Sequence, residues 1–247
     1  MTDQNPMRLF CFPPAGGFGS LINKWEAHLP AGIQLVPVCL PGQGKRYRER
    51  PIASLSPLID SLLRWIQPQL PSEYAFFGHS MGGLVCLELA RNLIARGVHG
   101  PSGLFVSGCE APDLFDIQPK IHNLPAEQFI TRLRQLNGVP PLVLENPELM
   151  ELLLPSLRAD FTVCETYKFE PGPPLSCSIT AFGGDCDPEV TTEGLRAWRR
   201  HTTGSFNWHM YPGDHFYLIH HWPSVAAVIG DRLAACPAWV KPCTAEA

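Results

Sequence analysis

No segment constrains this chain more than Gly78–Gly82, which reads G-H-S-M-G. Tyr74–Phe77, just before it, is a short aromatic run typical of a buried strand. Gly83–Ala90, just after it, is apolar on nearly every side, as in a buried helix. A G-x-S-x-G run between a strand and a helix predicts a tight, strained turn that exposes the hydroxyl of Ser80 as a nucleophile. A glycine-rich turn around a buried serine is the alternative interpretation.

Composition limits the class of protein. The chain has 247 residues, of which 45% are hydrophobic, so we expect one α/β domain over residues 1–247 with one sizeable core. A formal net charge of −4 gives no support for nucleic-acid binding. The sequence has no apolar run of about eighteen residues, and its start does not resemble a signal peptide. We therefore expect no membrane span.

The nine cysteines are an odd number, widely scattered, with no C-x-x-C pair and no zinc-like spacing. Several lie in apolar segments, where cysteine acts as a small hydrophobe. This usage predicts reduced thiols, a cytoplasmic location and no metal site. A catalytic cysteine is a weaker alternative to Ser80.

Strand-like and helix-like segments alternate, which predicts a largely parallel sheet with helices on both faces. The predicted strands are Met7–Phe12, Ile33–Leu40, Tyr74–Phe77, Gly103–Ser107, Ser178–Phe182 and Asn207–Tyr211. The predicted helices of this alternating part are Leu58–Gln67, Gly83–Ala90, Leu195–Arg200 and Ser224–Ala235.

The alternation stops between about residues 112 and 174. Helix-period segments there predict three short helices, Ala126–Leu136, Pro147–Leu154 and Leu157–Lys168, with Pro155 as a breaker between the last two. Inserted between strands, they would form a helical lid over the carboxyl ends of the sheet, where ligands bind in open α/β folds. A peripheral helical decoration is the alternative.

A serine hydroxyl needs a base to take its proton, and the base needs a carboxylate to orient it. With this type of turn the chain order is serine, acid, histidine. Of nine histidines, His215 alone both follows the last predicted strand and lies in a loop at its carboxyl end. A surface histidine is the alternative interpretation.

The loop after Ser178–Phe182 offers three acids, Asp185, Asp187 and Glu189. We favour Asp187, because its spacing leaves room for one helix and one strand before His215. Asp185 is the second choice, since an aspartate after Gly-Gly often serves only as a turn former. Asp214 is adjacent to His215, and neighbouring side chains rarely face each other.

An oxyanion hole needs two backbone N–H donors, one from the residue after the nucleophile and one from a loop after an early strand. Met81 supplies the first. The loop Phe12–Gly17, which reads F-P-P-A-G-G, supplies the second. Proline has no N–H, so we expect Ala15 to be the donor. A simple glycine-rich turn is the alternative.

With these pieces in place, the chain resembles the type II thioesterases of nonribosomal peptide and polyketide synthases, members of the alpha/beta-hydrolase superfamily, and equally their relatives that serve fatty-acid synthases. The matching segments, in the family's order from residue 7 to about 235, are Phe12–Gly17, Trp25 with Leu29–Pro30, Leu40–Arg46, Gly78–Gly83, Gly184–Val190 and Gly213–Leu218. Gln43 stands where the family often has Arg, and Asp214 where it often has Gly. The lid is matched least.

The resemblance implies a free-standing monomer that hydrolyses acyl thioesters from the phosphopantetheine arm of carrier proteins and so removes stalled or misprimed acyl groups. Ser80, Asp187 and His215 would form the catalytic triad, with no metal or soluble cofactor. Because carrier proteins are normally acidic, a basic docking surface is expected. Candidate clusters, each of which is otherwise a solvated charged face, are Lys45, Arg46, Arg48 and Arg50, or Arg196, Arg199 and Arg200.

Other functions fit the same motifs. A fatty-acid-synthase-associated acyl thioesterase and a lipase or carboxylesterase acting on oxygen esters would use the same triad, since fold and triad do not fix the substrate. A carrier-protein-binding module without activity is the non-enzymatic alternative. The presence of every triad member in the sequence argues against it.

Overall fold

The computed structural model describes residues 6–17, 22–117, 119–136 and 138–235. Within them, six strands form one parallel sheet in the order β2-β1-β3-β4-β5-β6. The strands are β1 (Met7–Phe12), β2 (Ile33–Pro37), β3 (Tyr74–His79), β4 (Gly103–Ser107), β5 (Ser178–Gly184) and β6 (Phe206–Tyr211). The predicted parallel sheet is thus confirmed. Strand β2 ends at Pro37 rather than Leu40, although the N–H of Val38 still donates to the carbonyl of Cys11 at 2.9 Å.

The helices are α1 (Leu55–Ile66), α2 (Met81–Ala95), α3 (Ala126–Leu136), α4 (Pro141–Leu144), α5 (Pro147–Glu165), α6 (Thr192–Arg196) and α7 (Leu218–Ala234). The predicted helix Leu195–Arg200 is instead the end of α6 followed by a 3₁₀ turn, Ala197–His201. Helix α7 begins six residues before the predicted Ser224 and runs through Pro223, because Leu218 packs in the core with the rest of its buried face.

Both faces of the sheet are covered, which explains why the central strands are apolar at nearly every position. On one face Phe10, Phe76 and Leu104 pack against the buried sides of α1 and α2. On the other face Phe77 and Phe105 pack with α7. Each such buried side chain stabilises the fold by roughly 2 kcal/mol relative to an exposed one.

Helices α3, α4 and α5 lie between β4 and β5, in the segment where the alternation stops. The prediction of separate helices Pro147–Leu154 and Leu157–Lys168 is wrong: α5 is continuous through Pro155. Met150 and Leu157, on either side of that proline, are both buried in one cluster with α3. This packing offsets the backbone hydrogen bond that proline removes.

Helix α4 is a single turn between the predicted helices Ala126–Leu136 and Pro147–Leu154, where no helix was predicted. Among the described residues, no helix has the length and apolar character needed to cross a membrane. The ends of the expected domain, residues 1–5 and 236–247, lie outside the described part of the chain.

Candidate active site

Ser80 occupies the turn between β3 and α2 with φ 53° and ψ −119°, and it is the one non-glycine residue at positive φ in the described ranges. Its N–H donates to the carbonyl of Ser107 at 2.7 Å. A Cβ on Gly78 would lie 2.1 Å from the carbonyl oxygen of Gly82, and one on Gly82 would lie 2.3 Å from that of Phe12. A side chain at either position would force the two backbones apart. The strand and helix therefore cross closely enough to hold Ser80 in a conformation that costs about 1–3 kcal/mol.

His215 and Asp187 meet across the loops that follow β6 and β5. The Nδ1 atom of His215 donates to Oδ2 of Asp187 at 2.8 Å, and the Asp187 carboxylate has no exposed surface. The other oxygen of Asp187 accepts the backbone N–H of Glu189 at 2.8 Å. An imidazole bound through Nδ1 keeps Nε2 as its proton acceptor.

The two alternative acids bind the backbone instead. Oδ1 of Asp185 accepts the N–H of Gly213 at 2.9 Å, and Oδ1 of Asp214 accepts the N–H of Phe216 at 2.9 Å. Both bonds shape the turn that carries His215. Asp185 therefore acts as a turn former in this structure, while Asp187 contacts the imidazole.

Several charges act on His215. Burial by itself lowers its pKa, but the hydrogen bond and charge of Asp187, with the charges of Glu189 and Asp214, outweigh burial and raise the pKa. The Oε2 atom of Glu189 lies 3.8 Å from Nε2 of His215, on the side opposite Asp187. Glu189 was considered only as an orienting acid from the sequence, and the structure places it at the other ring nitrogen.

His79 was excluded as the catalytic base because of its position in the sequence. In the structure it packs against His215. Its ring lies 5.1 Å from that of His215, and its Nδ1 is 2.9 Å from Oγ of Ser107. Ser107 Oγ is in turn 2.6 Å from the hydroxyl of Tyr217. Burial lowers the pKa of His79, so the ring is neutral. These contacts join residues far apart in sequence, and no local pattern indicates them.

The two predicted oxyanion donors are the backbone N–H groups of Met81 and Ala15. Met81 begins α2, and the first N–H of a helix has no acceptor within it. In the loop after β1, the N–H of Gly16 donates to Asp160 at 2.9 Å and that of Gly17 to the carbonyl of Pro14 at 2.9 Å. Ala15 is left as the residue of this loop whose N–H has no protein acceptor within the described ranges.

Ser80, His215 and Ala15 line one cavity of about 350 Å³. Its remaining wall comes from the segment between β4 and β5 and from the loops after β5 and β6. The larger apolar side chains of this wall are Ile117, Ile121, Leu133, Leu136, Val139, Phe161 and Phe216, and its charged side chains are Arg132, Glu165, Glu189 and Asp214. No hydrogen bond joins the side chains of Ser80 and His215 among the described residues; such contacts often tighten only when substrate is bound. The arrangement can add a serine oxygen to a carbonyl at the mouth of an apolar pocket.

A model of the thioesterase domain family matches residues 7–233. The chain belongs to this family. Its parallel sheet with flanking helices is the alpha/beta-hydrolase fold of solved thioesterase structures, including RedJ, the thioesterase from the prodiginine biosynthetic pathway of Streptomyces coelicolor. RedJ is 40% identical and superposes with a TM-score of 0.85, covering 92% of this chain and 85% of RedJ.

Two curated relatives of this thioesterase are named for gramicidins. Gramicidin S biosynthesis protein GrsT of Aneurinibacillus migulanus is 45% identical, over 86% of this chain and 83% of its own. The linear gramicidin dehydrogenase LgrE of Brevibacillus parabrevis is 43% identical, over 94% of this chain and 90% of its own. The names of these proteins place this thioesterase among relatives that serve antibiotic biosynthesis.

Proposed function

We propose that this thioesterase is a free-standing editor that hydrolyses acyl thioesters from the phosphopantetheine arm of carrier proteins in nonribosomal peptide or polyketide synthesis. It would thereby remove stalled or misprimed acyl groups. One observation carries the proposal. His215, which is hydrogen-bonded to Asp187, lines the same cavity as Ser80, and the apolar side chains of that cavity can contact an acyl chain. Relatives named for gramicidin S and prodiginine biosynthesis support it.

The chemistry follows from the three side chains. His215 Nε2 takes the proton of the Ser80 hydroxyl as Oγ adds to the thioester carbonyl, and the N–H groups of Ala15 and Met81 hold the resulting oxyanion. His215 then gives the proton to the departing thiol, which leaves an acyl ester on Ser80. Asp187 orients the imidazole and stabilises the imidazolium. A water that gives its proton to His215 hydrolyses the ester, and the proton returns to Ser80 as the acid leaves. Every proton transfer uses residues of this chain, and the proposal includes no cofactor.

The helical segment between β4 and β5 is proposed as a lid that receives the acyl group. Its side chains Leu133, Leu136 and Phe161 form much of the apolar wall of the cavity. An acyl chain bound there would be removed from water while its carbonyl lies at Ser80. These apolar side chains suit a hydrocarbon acyl chain, and the charged side chains of Arg132, Glu165 and Glu189 line the same cavity.

A redox function is not favoured, although one relative is named a dehydrogenase. Dinucleotide sites of the common type need a G-x-G-x-x-G run after a strand, and the sequence contains none. The loop after β1 reads F-P-P-A-G-G and lies beside the start of α2, where it contributes Ala15 to the cavity.

For docking of an acidic carrier protein we propose the surface around Lys45, Arg48 and Arg50, which are all exposed. Arg46, from the same cluster, is held by Glu49 and by Oγ of Ser61 at 2.9 Å, so it has a structural role. In the second cluster, Arg199 and Arg200 are engaged by backbone carbonyls and by Asp113. We propose that the protein acts in the cytoplasm as a monomer.

The test is release of an acyl group from an acylated carrier protein, with wild type beside Ser80→Ala. The same acyl group on free pantetheine and as an oxygen ester serves for comparison. We expect hydrolysis in the order carrier thioester, pantetheine thioester, oxygen ester, and none above background for the variant. Cleavage of the oxygen ester without cleavage of the carrier thioester would show an esterase. Retained biological effect in Ser80→Ala would show a binding module.

A further inference from the structure

Helix α5 of the proposed lid contacts the loop that carries Ala15. Asp160, in the middle of α5, is only 4% exposed. Its Oδ2 atom accepts two hydrogen bonds, from the backbone N–H of Gly16 at 2.9 Å and from Nε2 of Gln43 at 2.5 Å. One carboxylate oxygen thus joins the lid helix to the loops after β1 and β2.

The same segments are in close contact around this carboxylate. Gly16 has φ +88°, and a Cβ there would lie 2.8 Å from Cδ2 of Leu157, one turn before Asp160. A Cβ on Gly17 would lie 3.6 Å from Oε1 of Gln43. The backbone at Gly16 is therefore in tight contact with α5, and Gly17 lies within ordinary van der Waals distance of Gln43.

A buried carboxylate of this kind is costly. Burial raises the pKa of Asp160 to about 7, against the opposing effect of its bonds to Gly16 and Gln43. No cation bonds to it in the described part of the chain; Gln43, its side-chain donor, is a neutral amide where the family often has Arg. A buried carboxylate without a cation lowers stability, and groups of this kind cluster at functional sites, which indicates a functional reason for Asp160.

Its position indicates that reason. Gly16 directly follows Ala15, the proposed oxyanion donor, and two prolines precede them. The loop has two hydrogen bonds that fix its glycines, the internal one from Gly17 to Pro14 and the one from Gly16 to Asp160. An oxyanion donor is effective only when held within about 0.5 Å of its productive place.

We propose that Asp160 is a positioning residue for the oxyanion hole: as an acceptor on the lid helix, it holds the Ala15–Gly16 backbone so that the Ala15 N–H faces the substrate oxyanion. The hole is then complete only while α5 lies against the loop after β1. This inference rests on the proposed function for the identity of the substrate, and on the cavity geometry for the role of Ala15.

The test compares Asp160→Asn with Asp160→Leu. Asparagine can place its carbonyl oxygen where Oδ2 lies and keep both bonds, whereas leucine has a similar shape and no acceptor. Complete loss of an oxyanion donor costs about 10²–10³ in kcat. For the displaced donor of Asp160→Leu we expect kcat to fall about 10- to 100-fold with KM within about 3-fold. We expect Asp160→Asn to retain kcat within about 3-fold.

A second readout addresses the oxyanion directly. A trifluoromethyl ketone with the same acyl chain adds to Ser80 and places an oxyanion in the hole. We expect its inhibition constant to rise in parallel with the loss of kcat in Asp160→Leu. Ser156→Ala is the matched control on α5: Ser156 is 4% exposed and its hydroxyl donates only to the carbonyl of Leu153 at 2.9 Å, so kcat and inhibition should stay as in wild type.

Gln43→Met keeps the proposal testable if Asp160→Leu does not fold. It removes one donor to Asp160 and leaves the Gly16 bond, so a smaller loss of kcat, about 3- to 10-fold, is expected. Unchanged kcat and inhibition in Asp160→Leu, an equal loss in Asp160→Asn, or a loss confined to KM would each overturn the positioning role.

The assays are run on pantetheine thioester and oxygen ester alike. A wild type active only on the ester refutes the thioesterase proposal while the variants still decide the role of Asp160.

Discussion

Replacing Asp160 with Asn tests the energetic account of this buried carboxylate in α5 independently of activity. The side chain is 4% exposed and accepts hydrogen bonds from Gly16 and Gln43, which an amide oxygen can also accept. The substitution therefore removes the titrating carboxyl and keeps its shape. Only the pH dependence of stability should change.

The magnitude follows from the pKa of Asp160, which burial raises from 3.8 to about 7. A raised pKa means that the folded state binds the proton more tightly than the unfolded state. Stability is then greatest below pH 3.8, falls as pH rises through this window, and levels off above about pH 7. At about 1.36 kcal/mol for each unit of pKa, the full penalty in wild type is at most about 4 kcal/mol. Of this, about 2–3 kcal/mol develops between pH 5 and pH 8.

The measurement is urea unfolding of wild type and Asp160→Asn at both pH values. All other titrating groups are shared, so their contributions cancel in the difference between the two proteins. We expect the variant to gain about 2–3 kcal/mol relative to wild type on going from pH 5 to pH 8. A difference that does not change with pH, or one that shifts in favour of wild type at pH 8, would refute the assignment of a costly buried carboxylate.

Three further predictions concern the site. Glu189→Gln removes a negative charge 3.8 Å from Nε2 of His215, which should lower the pKa of that imidazole. The acidic limb of the pH profile of kcat/KM should then move to lower pH by a few tenths of a unit. Movement to higher pH would contradict the electrostatic effect assigned to Glu189. Gly82→Ala places a Cβ 2.3 Å from a carbonyl oxygen at the end of β1, and should destabilise the protein by about 1–3 kcal/mol in urea unfolding; an unchanged midpoint would show that the two backbones can separate freely. Tyr217→Phe removes the hydroxyl 2.6 Å from Oγ of Ser107 and should cost about 1 kcal/mol of stability by thermal unfolding, whereas a gain would mean that this buried bond is unfavourable.

Local patterns predicted much of this fold. The alternation of strand-like and helix-like segments is a property of neighbouring residues, and the parallel sheet follows from it. The strained turn at Ser80 is similarly local, since its glycines and its strand and helix are contiguous. Where tertiary packing outweighed local preference, the prediction was wrong: α5 continues through Pro155 because the side chains on either side of that residue are buried together.

The candidate site required more than local pattern. The sequence offered Asp185, Asp187 and Glu189 in one loop, and their different contacts depend on how the loops after β5 and β6 pack. Asp160 had one indication in sequence, a charged residue on the helix face that also carries Leu157 and Cys164. That face is buried, but the sequence of α5 does not indicate which residues of other segments contact it.

The sequence by itself therefore determined the order of the elements, the strained turn at Ser80 and the short set of acids and histidines from which a triad could be drawn. Only the tertiary structure decided which acid contacts His215, and which N–H in the described part of the loop after β1 has no protein acceptor. Gly16 and Asp160 are 144 residues apart, and their hydrogen bond exists only because the packed fold brings α5 against that loop. Contacts at such separation depend on the packing of the whole chain, which no local preference encodes.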